Sequence, residues 1–506
     1  MDILDRMQME AKPRPYDPAP GTLVRPSTVA HPAAATRPIP VLLASALAAA
    51  CGGSGEEDVS GTQNVLLFTI DTLRADQLGA YGNAEDASPA ADALAREGLM
   101  FERAYSQATL TNPSLTSMLT GLLPIQTGVH DQTSGFAKGI YPVPVVLQAE
   151  GVATGAFIAN MCKLQDTPGT VFHDGWDERF CGMLDDPENY SDQYLWDQAV
   201  VDAALEWIDA QEGPWFCWVH LMDPHAEHRP PPHLWDWEAD EPREKFEQYA
   251  YYNQYEELRE IPPDDVKDRL WALYSAQVKG SDEQLARMVD GLRTRGAWDD
   301  TAVIYSSDHG EELFETWHRY DHGLSMTEGV FHIPLIVRAP GVAPRRTEGI
   351  VENLQIGPTI LDLFELDEPY ELAGASLLDE EPSRGFALSY VGDVTTSIRG
   401  GSYRFWLRHS PEPFERDHTP WRHEAPWFQN RRSLASYSDA TGALPAWLDV
   451  DEPAVRGTVS KLERAIETRH ESAKRRAGRR VATPELIEAL RRSGYIDPTE
   501  LGTDEQ

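Results

Sequence analysis

The first candidate for chemistry is a threonine at the start of an expected helix. Residues 111–121 read TNPSLTSMLTG, in which Pro113 suits a first helical turn and Gly121 suits a helix end. Thr111 is therefore expected at or just before the helix N-terminus. Free backbone N–H groups and the positive end of the helix dipole attract an anion such as phosphate or sulfate there. The hydroxyl of Thr111 is a candidate nucleophile, although a threonine at such a position more commonly serves only as an N-cap.

Two carboxylates and an imidazole follow apolar runs elsewhere in the chain. Asp71 comes directly after NVLLFTI, and Asp308 and His309 come after AVIYSS. Such runs are typical of strands buried on both faces of a parallel sheet, whose carboxyl edge is where ligands bind. With the Thr111 hydroxyl as a further ligand, these groups predict a site for one divalent cation. The cation would stabilise the threonine alkoxide, since a threonine hydroxyl is a poor nucleophile at neutral pH.

The elements that must position these groups alternate along the chain. Strand-like apolar runs are separated by segments with helical periodicity, and this alternation predicts a doubly wound, mostly parallel α/β sheet with helices on both faces. The strand-like runs are 64–70, 154–159, 215–222, 302–306 and 333–338, and the clearest helix spans 265–295.

Three blocks of sequence carry a resemblance to a known family. They are TIDTLRADQLGAYG from Thr69, TNPSLTSMLTGLLPIQTGVH from Thr111 and SSDHGEEL from Ser306, with further matches in PWFCWVHLMDPH, HIPLIVRAPG and TPELIEALRRSGYI. In order and spacing the blocks resemble the sulfatase family of the alkaline-phosphatase-like superfamily, over about residues 61–497. The resemblance implies an alkaline-phosphatase-like fold and a metal-dependent hydrolase of esters carried by a small molecule, glycan or lipid. It leaves the metal open among Ca, Mg, Mn and Zn, because relatives with the Asp308-His309-Gly310 motif use more than one of them.

Departures from the family pattern bear directly on the chemistry. Well-known sulfatases have Cys or Ser in a C/S-x-P-x-R signature and convert it to formylglycine, but this chain has Thr111 there and Leu115 at the arginine position. Oxidation of a threonine cannot give an aldehyde, because its Cβ carries an additional methyl group. Thr72 also replaces the usual second aspartate of the first block. The resemblance implies instead the threonine nucleophile of related phosphodiesterases and phosphoglycerol or phosphoethanolamine transferases, with a covalent threonyl intermediate.

Two histidines complete the expected catalytic set by resemblance. His225 would contact the transferred group or protonate the leaving oxygen, and His322 lies where relatives place a lysine or histidine against the substrate. An unperturbed imidazole, with a pKa of about 6.5, suits a general acid near neutral pH. Either histidine could instead be a hydrogen-bonded loop residue. In another interpretation, Asp223, His225 and His322 complete a second metal site.

The N-terminal 60 residues are expected to lie outside the catalytic domain. The apolar run VLLASALAAAC, ending at Cys51, is typical of a signal peptide with a lipoprotein box and is short for a membrane-spanning helix. We expect residues 1–60 to be a leader, signal and linker, a lipid on Cys51 to anchor the protein to a membrane, and the protein to be an exported lipoprotein of the cell envelope. In an exported protein, Cys162 and Cys181 could form a disulfide.

Composition and length bound the remaining possibilities. The chain has 506 residues and a formal charge of −38, from 44 basic and 82 acidic side chains, which disfavours nucleic acid as a partner. No protein partner is predicted. We expect a catalytic domain over 61–372 and, by resemblance, a C-terminal subdomain over 373–506 with an antiparallel sheet and a terminal helix; the sequence itself predicts a helix over 452–476.

Three functions remain open at this point. The leading hypothesis is an ester hydrolase that acts on sulfate or phosphate esters through Thr111. A transferase that passes a phosphoryl group to an alcohol is the first alternative. The second is a noncatalytic binding protein that keeps the fold after losing the formylglycine residue and its arginine.

Overall fold

The computed structural model describes most of the expected catalytic domain and much of the C-terminal region. The expected signal segment with Cys51, as well as Cys162 and the terminal block from Thr483, lie outside the described residues. Those residues are 62–84, 87–159, 167–182, 193–226, 228–236, 263–314, 320–323, 325–380, 382–383, 385–392, 395–409, 430, 432–437 and 446–476.

A mostly parallel sheet forms the centre of the described structure. Its strands are β1 (Asn64–Ile70), β2 (Leu99–Tyr105), β3 (Ala153–Ile158), β4 (Glu178–Cys181), β5 (Trp215–Leu221), β6 (Thr301–Ser307), β9 (His332–Ile333), β10 (Leu335–Arg338) and β11 (Arg345–Glu352), and a small separate hairpin joins β7 (Glu312–Leu313) to β8 (Tyr320–Asp321). Strand β1 lies in the middle of the sheet and pairs in parallel with β5 on one side and β6 on the other. Across the described residues the strand order is β11-β2-β10-β6-β1-β5-β3-β4, with β9 paired to β2.

The expected doubly wound fold is confirmed. Every residue of β1, β5 and β6 is buried, and alternate residues of β1 point into two separate apolar clusters, one on each face of the sheet. Because both faces are covered, the central strands are apolar over most of their length, and polar residues are found mainly near their ends. The carboxyl edge carries Asp71 after β1 and Asp308 after β6.

Two short strands of the described sheet run antiparallel to their neighbours. The apolar run 333–338 is divided at Pro334; its first part, β9, pairs antiparallel with β2, and its second part, β10, pairs antiparallel with both β6 and β2. An apolar run indicates burial but carries no information about strand direction. The sheet is therefore mixed at this position, in agreement with the expected mostly parallel arrangement.

Helices cover both faces of the sheet and one of them begins at Thr111. The predicted helix over 265–295 is observed as α6 (Asp264–Thr294). Its buried apolar residues belong to the same cluster as the residues of β1 and β5 that point to one face of the sheet. The helices are α1 (Pro89–Glu97), α2 (Thr111–Thr120), α3 (Pro124–Thr127), α4 (Val143–Ala149), α5 (Gln193–Asp209), α6 (Asp264–Thr294), α7 (Glu328–Phe331), α8 (Ile356–Leu363) and α9 (Pro453–Arg476). None of the helices within the described ranges is both long and apolar enough to cross a membrane.

A five-stranded antiparallel sheet follows the catalytic part of the chain, counted over the described residues. Buried ion pairs join the C-terminal region to the preceding part of the chain. Glu328 in α7 contacts Arg399 and Arg404 of the antiparallel sheet, and Glu352 in β11 contacts Arg469 in α9. The predicted C-terminal sheet and helix are thus confirmed, whereas the boundary at residue 372 stays a prediction. The strands, in spatial order, are β12 (Phe386–Val391), β13 (Thr395–Gly400), β14 (Tyr403–Arg408), β15 (Arg432–Ser436) and β16 (Ala446–Leu448).

Candidate active site

Two of the predicted metal ligands meet at the carboxyl edge of the sheet together with an unexpected third group. Asp71 follows β1, Asp308 follows β6 and His220 lies in β5, where it pairs in register with Thr69 of β1. One ligand atom from each of Asp71, His220 and Asp308 lies within 4.8 Å of the other two. All three side chains are buried. The structure therefore gathers two carboxylates and an imidazole around one point.

Hydrogen bonds to Thr69 determine which nitrogen of His220 faces this point. The Thr69 hydroxyl accepts from the Trp218 indole at 2.9 Å, donates to the Val219 carbonyl at 3.2 Å, and lies 2.9 Å from His220 Nδ1. Since its only proton is donated to the Val219 carbonyl, the hydroxyl accepts a hydrogen bond from Nδ1–H of His220. His220 Nε2 then presents a lone pair, and it lies 3.9 Å from Asp71 Oδ2. Burial lowers the pKa of His220 to about 4, so the ring is neutral.

His309 has the same arrangement on the other side of the site. Its Nδ1 lies 3.0 Å from the Gly310 carbonyl, which can only accept, so Nδ1 carries the proton and Nε2 carries the lone pair. His309 Nε2 lies 3.3 Å from Asp308 Oδ2, and burial lowers the pKa of the ring. The next residue must be glycine, because a Cβ on Gly310 would collide with the carbonyl oxygen of Gly329. The backbone of Gly310 is thus packed directly against that of Gly329.

The buried atoms at this point lack any other partner. Four of them, Asp71 Oδ1, His220 Nε2, Asp308 Oδ2 and His309 Nε2, have no hydrogen bond. Burial and the neighbouring Asp308 raise the pKa of Asp71 well above its ordinary value, as expected where negative charge is left uncompensated. Carboxylate charge and imidazole lone pairs this close together repel one another unless a cation lies between them. Among the described residues, the ligand atoms within 4.8 Å of one another are those of Asp71, His220 and Asp308, and the predicted ligand His309 lies beside Asp308 but outside that set. The donor set therefore fits a divalent metal ion, and the hydrogen bonds made by Nδ1 of both histidines are of the kind that orient metal-binding imidazoles.

Thr111 is the first residue of α2, and its hydroxyl is not used to cap the helix. Leu110 occupies the N-cap position without a side-chain cap bond. The Thr111 hydroxyl oxygen instead accepts a hydrogen bond of 3.2 Å from Gln132 Nε2. One turn into the helix, the Ser114 hydroxyl donates to the backbone carbonyl of Asp308 at 2.6 Å. That bond attaches the first turn of α2 to the strand end that bears the predicted metal ligands.

The two positions that depart from the family pattern have clear structural settings. Leu115 is fully buried in the apolar cluster under α2, where it packs with residues such as Met118 and Leu119. Thr72 has a positive φ of 57°, an unusual value for a β-branched residue, and its backbone N–H donates to Asp308 Oδ1 at 3.2 Å. Local strain of this kind persists where surrounding contacts enforce it, often at functional sites. At Thr72 the backbone, rather than a carboxylate, contacts the site.

The two predicted catalytic histidines lie side by side next to His309. The ring of His322 stacks on His309 with centroids 4.4 Å apart and meets His225 edge-on at 5.2 Å. Each has its Nδ1 on an acceptor: His225 on the Ala226 carbonyl at 2.6 Å, and His322 on the Glu311 carboxylate at 3.1 Å. Burial and the proximity of His322 lower the pKa of His225. The structure thus brings all the expected histidines into one cluster.

The alternative second metal site receives less support from these contacts. Asp223, its expected carboxylate, accepts a hydrogen bond of 2.6 Å from Gln277 in α6 through Oδ1. Its backbone N–H donates to Asp197 in α5 at 3.1 Å. These bonds hold the segment after β5 on the two helices behind it. Among the described residues, the group of acidic and histidine side chains close enough to share an ion is that of Asp71, His220 and Asp308, and the second metal stays a prediction.

Sequence reasoning missed His220 and two further residues at the site. His220 lies inside an apolar strand, so the pattern of WFCWVHLMD shows it as one polar residue among buried neighbours. Its register beside Thr69, two residues before Asp71, would have been the signal, but register is not visible in the sequence. Gln132 and Glu311 contact Thr111 and His322 through side chains whose directions depend on loop geometry. Close to the site, Arg74 forms an ion pair of 2.6 Å with Asp76.

Comparison with known sequences finds a family match over the part of the chain that carries the site. A family model described as Sulfatase matches residues 63–366. The chain is 25% identical over 382 residues to an uncharacterized sulfatase, YidJ, from Escherichia coli strain K12. This alignment covers 65% of this chain and 73% of that protein. It is 26% identical over 402 residues to arylsulfatase K from Gallus gallus, covering 68% of this chain and 72% of that protein.

Solved structures with the same fold include enzymes of two chemistries. A phosphonate monoester hydrolase of Agrobacterium radiobacter has a TM-score of 0.65 at 18% identity, covering 81% of this chain and 96% of that one. The protein BT4656, solved in complex with its substrate D-glucosamine-2-N,6-O-disulfate, has a TM-score of 0.63 at 18% identity, covering 82% of this chain and 98% of that one. At this level of identity the likeness concerns the fold.

Proposed function

Because this chain belongs to the sulfatase family, we propose that it is a metal-dependent ester hydrolase whose nucleophile is the hydroxyl of Thr111. Asp71, Asp308 and His309 would hold the divalent ion together with the Thr111 hydroxyl, as the sequence predicts, and His220 joins them. His225 would contact the transferred group, and His322 would protonate the leaving oxygen. The ester is a sulfate or a phosphorus ester, since family relatives include sulfatases and the fold is shared with a phosphonate monoester hydrolase.

The observation that carries this proposal is the convergence of unsatisfied ligand atoms next to the start of α2. Ligand atoms of the buried Asp71, His220 and Asp308 lie within 4.8 Å of one another, each of these side chains has an atom without a hydrogen bond, and Ser114 attaches the first turn of α2 to Asp308. A noncatalytic binding protein would gain nothing from uncompensated buried charge, which destabilises the fold. A helix N-terminus beside a cation suits an anionic ester and a nucleophile that must become negatively charged.

In the proposed reaction, Thr111 Oγ1 attacks the sulfur or phosphorus of the ester. The Thr111 hydroxyl gives its proton to solvent water as Oγ1 forms the new bond. The bond to the leaving oxygen breaks while that oxygen takes a proton from His322, whose Nδ1 lies 3.1 Å from the Glu311 carboxylate. His225 contacts the transferred group. A water molecule then gives a proton to the neutral His322 and attacks the threonyl ester, the bond to Oγ1 breaks, and Oγ1 takes a proton from solvent, which restores both residues. When bound, the metal stabilises the alkoxide and the charge on the ester oxygens.

The proposal leaves no role for formylglycine. Thr111 cannot be oxidised to an aldehyde, and the family's arginine position is taken by Leu115, which is buried in the apolar core rather than directed at an anion. The substrate class proposed is a small-molecule, glycan or lipid ester. The small-molecule and glycan parts of this class are supported by relatives named choline-sulfatase, from Rhizobium meliloti, and N-acetylglucosamine-6-O-sulfatase, from Bacteroides thetaiotaomicron, at 23% identity each.

The deciding experiment compares Thr111→Ala and Thr111→Ser with the wild-type protein on a substrate panel. Aryl sulfate, phosphate monoester, phosphodiester and phosphonate monoester substrates are each supplied with Ca, Mg, Mn or Zn. Thr111→Ala should lose at least about 1,000-fold in kcat/KM, whereas Thr111→Ser should retain much of the activity because it keeps the hydroxyl. Thr120→Ala is the matched control, since Thr120 is a buried threonine of the same helix whose hydroxyl bonds only within it.

The same panel separates the alternatives. Turnover that requires an added alcohol acceptor would identify a transferase in place of a hydrolase. Full activity in Thr111→Ala would reject the nucleophile, and absence of turnover with every ester and metal would favour a noncatalytic binding protein.

We also propose, from the sequence before residue 61, that the protein is an exported lipoprotein. The apolar run that ends at Cys51 supports attachment of a lipid to that residue. In cells, the wild-type protein should fractionate with membranes and a Cys51→Ser variant should not. Finding unmodified Met1 on the mature membrane-bound protein would overturn this proposal.

A further inference from the structure

A glutamine outside the predicted site contacts the nucleophile directly. Gln132 lies 21 residues after Thr111, in the loop that follows α3, and its Nε2 donates to Thr111 Oγ1 at 3.2 Å. Its Oε1 accepts from the backbone N–H of Asn112 at 2.8 Å. We propose that Gln132 is a further catalytic residue, whose amide N–H stabilises the negative charge that develops on Thr111 Oγ1. The inference rests on the proposed function, because it requires Thr111 to be the nucleophile.

The neighbouring backbone fixes the orientation of the Gln132 amide. An amide side chain can be turned over so that its oxygen and nitrogen exchange places. Here the backbone N–H of Asn112 can only donate, so the atom facing it must be the oxygen Oε1. The nitrogen Nε2 is then directed at Thr111. Gln132 therefore presents a proton donor, and not an acceptor, to the nucleophile oxygen.

The loop that carries Gln132 is held firmly in place. The carboxylate of Asp131 accepts from the backbone N–H groups of Thr133 and Ser134, each at 2.8 Å, which closes a tight turn. The fully buried Asn112 donates its side-chain amide to the carbonyls of Asp131 and Ser134 at 3.0 and 2.8 Å. The turn and the first turn of α2 thus form one hydrogen-bonded unit around Gln132. Its amide is positioned before any substrate binds.

A preorganised donor of this kind has a specific chemical effect. The Thr111 hydroxyl loses its proton as Oγ1 attacks, and a neutral N–H donor strengthens its hydrogen bond as charge grows on that oxygen. The same bond fixes the Thr111 rotamer, so that a remaining lone pair can be directed at the ester. Gln132 itself neither gains nor loses a proton. Removing one such preorganised donor from an enzyme typically costs about 100- to 1,000-fold in kcat.

The test uses a substitution that separates the two hydrogen bonds. Gln132→Glu keeps an oxygen for the Asn112 N–H but offers no donor to Thr111, so the loop should stay in place while the effect on the nucleophile is lost. We expect kcat to fall about 100-fold because the donor to Oγ1 is lost, and KM to rise as well, because the new carboxylate lies next to the anionic ester. Gln126→Glu is the matched control, since Gln126 also accepts a backbone N–H, that of Leu123, away from the site.

Two further variants make the result decisive. Gln132→Met removes both bonds and should lower kcat at least as much as Gln132→Glu, with an additional loss of thermal stability. Thr111→Ala, measured in parallel, identifies the level of activity without the nucleophile. Wild-type kcat in Gln132→Glu, with Thr111→Ala inactive, would overturn the role of Gln132 alone. Wild-type kcat in Thr111→Ala would overturn the nucleophile, and the role of Gln132 with it.

Discussion

The hydroxyl of Ser114 donates a hydrogen bond of 2.6 Å to the backbone carbonyl of Asp308. The two residues are 194 positions apart, one in the first turn of α2 and the other after β6. Ser114 in turn accepts from the Asn353 side chain at 2.8 Å. This short chain of bonds connects the helix that begins at the candidate nucleophile to the strand end that carries the candidate metal ligands. Because of this connection, we treat the candidate nucleophile and the candidate metal ligands as parts of one site.

Removal of the Ser114 hydroxyl should therefore affect both stability and activity. Ser114→Ala leaves the Asn353 amide without its buried acceptor, and we expect a loss of about 1–2 kcal/mol in the free energy of unfolding. We also expect a lower kcat, because α2 is no longer fixed against Asp308. Denaturant unfolding and steady-state kinetics measure the two effects. Ser117→Ala is the control, because the Ser117 hydroxyl is buried in the same helix without a hydrogen bond, and equal effects of both substitutions would contradict this account.

His220 should bind the metal, and Thr69 should orient it. Thr69→Val keeps the shape of the side chain but removes the partner of His220 Nδ1, and such losses typically weaken metal affinity about 10- to 100-fold. His220→Ala should weaken it at least as much. Calorimetric titration with Zn and Mn provides the measurement, and His233→Ala, a change in a half-exposed histidine paired with Glu283, should leave the affinity unchanged. Unaltered binding in His220→Ala would remove this residue from the site.

The metal-free protein should be destabilised by its own ligands. Burial and the nearby Asp308 raise the pKa of Asp71. Ionisation of Asp71 therefore lowers the free energy of unfolding at pH values above its ordinary pKa of 3.8, and this loss is absent at lower pH. With a chelator at pH 7.5, Asp71→Asn should raise Tm, and the difference should shrink towards pH 4. With metal added, the wild-type protein should become the more stable one. A lower Tm for Asp71→Asn in chelator would contradict the proposed charge imbalance.

A buried histidine outside the site should set part of the dependence of stability on pH. Burial lowers the pKa of His228 to about 4, and its Nδ1 lies 2.6 Å from Gln277 Oε1. Because the folded-state pKa lies below the ordinary value of 6.5, stability is retained above pH 6.5 and is lost as pH falls towards 4, by up to about 3 kcal/mol. His228→Gln should flatten this slope in denaturant unfolding between pH 7 and 5. A slope equal to that of the wild type would show that His228 does not titrate as described.

Much of the fold could be predicted because burial leaves a direct mark on the sequence. The central strands are apolar on both faces, and Pro113 and Gly121 mark the ends of α2, where Gly121 adopts a positive φ of 67°. Strand direction could not be predicted in the same way. Strand β10 is as apolar as its neighbours, and its reversal depends on the connection through α7 and β9 rather than on its own residues.

The site was predictable where residues follow strand ends and unpredictable where they depend on register or loops. Asp71 and Asp308 follow apolar runs, and the fold brings them together as expected. His220 faces them because β5 pairs with β1 in one register, and a shift of one residue would turn its ring to the opposite face. Gln132 reaches Thr111 because a turn closed by Asp131 directs it there. Such contacts are formed by tertiary structure and have no local signature.

The most direct test of the account is to trap the covalent intermediate. The protein is mixed with an activated aryl phosphonate or sulfate ester and metal, quenched in acid within milliseconds, and digested for mass spectrometry of the peptide that contains Thr111. We predict one phosphonyl or sulfuryl group on the Thr111 hydroxyl, formed as fast as the first turnover and absent from Thr111→Ala. A burst of product with the group on another residue, or turnover with no modified peptide, would contradict the central claim.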